Sequence, residues 1–155
     1  MLEALVTQVN KYPMNSGEKI PWVYEKEAAT KGKLPFFSWY ITNPHERITF
    51  KRVNEPFLKH VQVKAHAADP LEVGDRIEWL QNVLGSMQPL VDLAQVGISV
   101  VDVSDPVSTD EDWTIEVENQ SAVDITLMVN PDYSDGTQPG EITAITPNIE
   151  ITKEE

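Results

Sequence analysis

Phe57-Leu58-Lys59-His60-Val61-Gln62-Val63-Lys64-Ala65-His66-Ala67, followed by Ala68-Asp69-Pro70-Leu71-Glu72-Val73, places a strand directly before a helix. Apolar Val61, Val63, Ala65 and Ala67 alternate with His60, Gln62, Lys64 and His66, the period of two of a half-buried strand. One face is predicted to be core and the other wet. Asp69 suits an N-cap, Pro70 the first helical position, and Glu72, three residues after the cap, completes a capping-box arrangement. Val73, Ile77, Leu80, Leu84 and Met87 then follow at spacings of four, three, four and three, one apolar stripe for the sheet. Gly85 and Pro89 are read as the end of this helix, and Trp79 lies off the stripe near Val83. The stripe is too short for a coiled coil, which needs the pattern over about three or four heptads.

Upstream, Phe36-Phe37-Ser38-Trp39-Tyr40-Ile41-Thr42 is aromatic and β-branched enough for a buried strand, predicted to end at Asn43-Pro44. Residues 13–35 hold Pro13, Gly17, Pro21, Gly32 and Pro35 among many Lys and Glu, a composition that predicts a long loop or arm, with room for a turn of helix around Tyr24 to Thr30. Leu2, Leu5, Val6 and Val9 have helical spacing, so residues 2–10 read as a short amphipathic helix packed on the sheet.

Downstream, Val96-Gly97-Ile98-Ser99-Val100-Val101-Asp102-Val103 reads as a strand whose apolar parity shifts at Val100-Val101, as a bulge or a strand end produces. Trp113, Ile115 and Val117 share parity with Val123, Ile125, Leu127 and Val129. That parity fits either one long strand or a hairpin around Asn119-Gln120-Ser121. Asp132 to Gly140 is turn-rich, Ile142 to Ile151 is a candidate last strand, and a short flexible tail follows. The order of elements predicts a single α+β domain over residues 1–155, an antiparallel or mixed sheet with helices on one face.

Charge is distributed unevenly along the chain. Residues 1–76 hold eleven basic and nine acidic residues, a net of +2; the remainder holds one base and sixteen acids, a net of -15, which together give the -13 of the whole chain. Such fields govern partner choice and association rate more than fold. The acidic balance argues against nucleic-acid binding, which needs clustered Lys and Arg. With no cysteine there is no disulfide, thiolate site or thiol nucleophile, and no need of an oxidising compartment. The N-terminal residues lack a signal-peptide pattern, and no apolar run approaches the ~20 residues of a membrane helix. Synthesis in a cytoplasm without export or membrane insertion is expected.

Chemical motifs are sparse. His60 and His66 lie six residues apart on one predicted strand, roughly 20 Å at strand rise, too far to share a metal, and both are expected on the surface. Asp102, Asp105, Asp110, Glu111 and Asp112 offer hard oxygen ligands without the glycine and spacing of a calcium loop. A metal-dependent hydrolase using that cluster is the enzymatic alternative; a solvated acidic loop is the simpler reading. No Gly-x-Ser-x-Gly, Gly-rich phosphate loop or His-Glu-x-x-His occurs, so neither catalytic residues nor a cofactor is expected.

Leu34-Pro35-Phe36-Phe37-Ser38-Trp39-Tyr40-Ile41, the strand leading to Asp69 and its helix, Val100-Val101-Asp102-Val103, and Ile115-Glu116-Val117-Glu118-Asn119 with Val123-Asp124-Ile125 carry a resemblance. In this order they resemble bacteriophage neck or tail terminator proteins over roughly residues 34–130. Where members often carry Gly-Phe-Asp, Ala122-Val123-Asp124 stands, so only the Asp matches. The resemblance implies a structural virion protein, assembled in the host cytoplasm. It implies a ring, commonly a hexamer, that caps the tail tube and meets the head connector; a head completion or connector adaptor is the alternative within the same machine. A ring needs two unlike complementary patches per subunit, which segregated charge helps supply. Candidate interface residues are the acidic Asp110, Glu111 and Asp112, which would repel passing DNA if they lined the ring's hole, and two of the four tryptophans, Trp22 and Trp79. Trp39 and Trp113 fit core positions, and for Trp22 both an interface anchor and a fold-back over the core edge remain open.

Overall fold

In the computed structural model, residues 1–14, 17, 19–31, 33–50, 55–108 and 119–130 are described. Helix α1 spans Leu2–Val9, strand β1 Trp22–Tyr24, helix α2 Glu25–Lys31, strands β2 and β3 Phe36–Arg47 and Phe57–Ala67, and helices α3 and α4 Pro70–Gly85 and Met87–Gln95. Strand β4 spans Ile98–Val103, β5 Val107–Ser108 and β6 Asn119–Val129. The strands form one sheet in the order β1-β2-β3-β6-β4, with β5 also on β6. Among the described residues only β1 and β2 run parallel, and the other pairings are antiparallel. The architecture is therefore α+β with a mixed sheet.

Alternation along β3 places Val61, Val63, Ala65 and Ala67 on the core face, all 0% exposed. Val61 sits opposite Ile125 and Val63 opposite Val123, so β6 continues that apolar face. The stripe of α3 lies on it: Val73, Ile77, Leu80 and Leu84 are buried together with Leu5 and Val9 of α1 and Leu93 of α4. Asp69 caps α3 by accepting from the Leu71 amide at 2.9 Å, with Pro70 in the first turn, and Glu72 accepts from Arg76 one turn on. The parity shift in β4 is a register break between Val100 and Asp102 that turns Val101 out to solvent.

Five expectations are corrected. Residues 13–35 are not simply an arm, because β1 forms within them, while α2 is the turn of helix expected around Tyr24 to Thr30. Trp22 and Val23 are apolar enough to add a short strand to β2, and the Phe37 amide donates to Pro21 O at 2.8 Å. Strand β2 does not stop at Asn43-Pro44, since its pairing with β3 shifts register on both sides of Asn43 and resumes at Glu46. A proline is tolerated at such an irregularity because its missing N–H breaks no regular ladder bond.

Met87 leaves the stripe: α3 ends at Gly85, Ser86 turns extended with ψ 144, and Met87 begins α4 at 79% exposure. Pro89 lies in the first turn of α4, where no intrahelical donor is required of it. A hairpin around 119–121 is excluded, as Asn119, Gln120 and Ser121 pair in continuous register with Ala67, His66 and Ala65. The fifth correction is His66, which is only 5% exposed: its ring stacks on Phe36 at 4.3 Å and contacts Ser38 Oγ at 2.7 Å on the face opposite the main core. Trp113, residues 132–140 and the candidate last strand 142–151 lie outside the described residues.

Candidate functional site

Trp22 and Trp79, marked as interface candidates, both pack on Phe37. Their ring centroids lie 4.8 and 6.0 Å from that of Phe37, which is itself 0% exposed. Trp79 Nε1 donates to Tyr12 O at 2.9 Å, tying α3 to the turn after α1. Within the chain, both indoles thus act as walls of the core edge. Trp39 is half-buried and rests on Tyr24, 4.9 Å away. Asp110, Glu111 and Asp112 lie outside the described residues.

The face of the sheet opposite α3 is polar and largely self-satisfied. Lys64 Nζ meets Glu25 of α2 at 2.5 Å, and Gln62 donates to Asp124 at 3.0 Å. His60 lies between Glu46 and Thr126, at 2.7 and 3.1 Å. His60 and His66 therefore have separate neighbours. Among the described residues, no three His, Asp or Glu side chains are gathered as metal ligands. Asp102 and Asp105 are exposed on the far edge of the sheet. A pocket of about 200 Å³ between the start of α3 and the β5–β6 pair is smaller than the ~300 Å³ at which ligand sites begin.

Two surfaces stand out from the rest. The β2–β3 hairpin runs beyond the end of β1, which pairs only with residues 37–39. Near its tip Ile48 is 49% and Phe50 107% exposed, beside exposed Arg47. Lys59 and His45 hold Phe57 at its base, the lysine 5.6 Å above the ring and the imidazole stacked at 4.2 Å. At the other side of the sheet, Val101 and Val107 are 54% and 61% exposed along β4 and β5, next to Asp102 and Asp105. Both surfaces are apolar; the described charges of the first are mixed, Arg47 and Lys59 with Glu46 and Glu55, and those beside the second, Asp102 and Asp105, are acidic. Exposed aromatic and branched residues in such settings mark contact surfaces. Composition points to the acidic second half of the chain, but the hairpin has no distinguishing sequence signal because the sequence reading ends β2 at Asn43-Pro44.

A third cluster is structural. Asp92 of α4 accepts from Gln88 and from the Tyr12 hydroxyl, both at 3.0 Å, with Lys11 Nζ at 3.8 Å. The Gln88 bond first, then those from Tyr12 and the charge of Lys11, hold the Asp92 carboxyl below the ordinary aspartate range. A depressed carboxylate contributes stability that is present above its unfolded-state value and lost as pH falls through its folded one. Thermal midpoints should therefore fall on acidification through and below the ordinary aspartate range. The Asp92→Asn variant should show a shallower fall, and identical slopes would remove this link between α1 and α4 from the acid response.

No helix among the described residues is long and apolar enough to cross a membrane. Compared with known proteins, the sequence matches no protein-family model and no curated protein.

Proposed function

We propose that this chain is a bacteriophage neck component, a tail terminator that assembles into a ring on the end of the tail tube and joins it to the head connector. The observation that carries the proposal is the pair of unlike exposed surfaces on one sheet, Ile48 and Phe50 on the β2–β3 hairpin, and Val101 and Val107 along β4–β5 beside Asp102 and Asp105. A ring of identical subunits joined head to tail requires two different, mutually complementary patches. The stretches that resemble terminators support the same reading: the parts of them that are described lie in β2, β3, α3, β4 and β6, within or against one sheet. The role is structural, with binding rather than turnover as its output.

Polymerising tail-tube subunits provide the test. Adding the purified chain should stop tube growth and give a narrow length distribution, with a ring at one end in electron micrographs. Unchanged tube lengths with no ring at the ends would overturn the terminator reading. Binding to isolated connectors in place of tubes would assign the chain to the adaptor role.

A further inference from the structure

We propose that Thr126 is a reactive hydroxyl that accepts an acyl group from an uncharged activated ester, with His60 as its base and Glu46 positioning the imidazole. The three lie in one line across β6, β3 and β2, on the sheet face opposite α3. His60 Nδ1 is 3.1 Å from Thr126 Oγ1, and its Nε2 is 2.7 Å from Glu46 Oε2. A carboxylate only accepts, so Nε2 carries the ring hydrogen and Nδ1 is left to accept from the hydroxyl. That is the order of nucleophile, base and orienter, at the about 2.6–3.2 Å that activation of a hydroxyl needs. The line is reachable, since the side chains of His60 and Glu46 are 29% and 50% exposed and Thr126 is half-buried. A second described hydroxyl–imidazole pair, Ser38 with His66, is sealed, because Ser38 is 0% exposed.

Backbone irregularity marks the same row. The described pairings contain three register shifts: two flank Asn43, which faces His60, and the third lies between Val100 and Asp102, the latter facing Thr126. Such breaks re-aim side chains and are over-represented beside active sites. Here Glu46 pairs with Leu58 yet reaches across to His60. Asp102, opposite Thr126, and Asp124, two residues before it, put negative charge beside the hydroxyl, which disfavours anionic donors such as acyl phosphates. In the step, Thr126 Oγ1 bonds to the ester carbonyl carbon and the bond from that carbon to the leaving oxygen breaks. The hydroxyl proton passes to His60 and then to the departing oxygen. Each chain takes one acyl group, a modification added to a structural role, and the transfer is independent of the ring reading.

p-Nitrophenyl acetate is the probe, and the absence of cysteine leaves no thiol to compete for it. The acetylated chain is mapped by tandem mass spectrometry before and after hydroxylamine, which cleaves esters and spares the amides formed on lysines. Thr126 is expected to carry the ester. Thr126→Val should abolish it and Thr126→Ser should keep it. His60→Gln should slow its formation about a hundredfold or more, in protein whose circular dichroism matches wild type. Glu46→Gln should slow it less, and Glu46→Asp should restore it. Acetylation of lysines alone, with Thr126 unmodified in the wild type, overturns the proposal. Equal rates at Thr126 in wild type and His60→Gln overturn it too, reducing the line to a hydrogen-bond chain that holds three strands together. Acetyl phosphate labelling Thr126 as fast as the ester does would overturn the assignment of an uncharged donor. None of these results bears on the terminator reading, which tube capping decides.

Discussion

Replacing Phe37 with alanine is expected to lower the free energy of unfolding by about 3–5 kcal/mol. Phe37 is 0% exposed and both Trp22 and Trp79 pack on its ring, so truncation leaves a void edged by two rigid indoles and a sheet. Rigid walls relax poorly into a cavity, which puts this site toward the upper end of the range for such changes. Against the roughly 5–15 kcal/mol of a normal domain, the loss is large. Urea unfolding followed by tryptophan fluorescence measures it, with the midpoint falling and the denaturant slope held. A loss under about 1 kcal/mol would mean that the two indoles close over the space, and the packing described for the core edge would be wrong.

Leu80→Ala and Met87→Ala form the second expected result, and their contrast matters more than either value. Leu80 is 0% exposed beneath the sheet and should cost about 2–5 kcal/mol. Met87 is 79% exposed at the start of α4 and should fall within about 0.5 kcal/mol of wild type. Helical spacing makes the two equivalent, whereas the backbone at Ser86 separates them. Equal losses would mean that α3 continues through Ser86 in solution.

That contrast shows what kind of information the sequence carries. The strand over residues 57–67, the cap at Asp69 and the buried stripe from Val73 to Leu84 were legible because each rests on local chemistry or on a period repeated over several residues. The bulge at Val101 was legible for the same reason. Gly85 and Pro89 were read only as the end of one helix, although the next opens at Met87 with Pro89 in its first turn. His66 keeps the parity of a wet face, but its burial comes from Phe36 and Ser38 on another strand, a contact made by pairing and invisible to period counting. Strand β2 continues past Pro44 because a register break absorbs the missing donor, something that composition does not reveal. For the interaction surfaces, sequence supplied the charge split but chose Trp22 and Trp79 as anchors by their position off the core pattern. Folding turns both onto Phe37, and among the described residues the fully exposed aromatic is Phe50.

The place of β6 in the sheet bears on how the chain behaves while the ribosome is still making it. This strand, residues 119–129, inserts between two strands completed much earlier, facing β3 along residues 57–67 and β4 along 98–103. Until Val129 has emerged, a nascent chain shows one bare edge along Val61 and Val63, and β4 has no strand to pair with. Bare edges of this kind invite pairing with other chains. Strands joined across such sequence distances also close slowly. Translation cut short before residue 119 should therefore yield an aggregating fragment rather than a smaller working domain, and holdase chaperones would find their target in the interval before the central strand arrives.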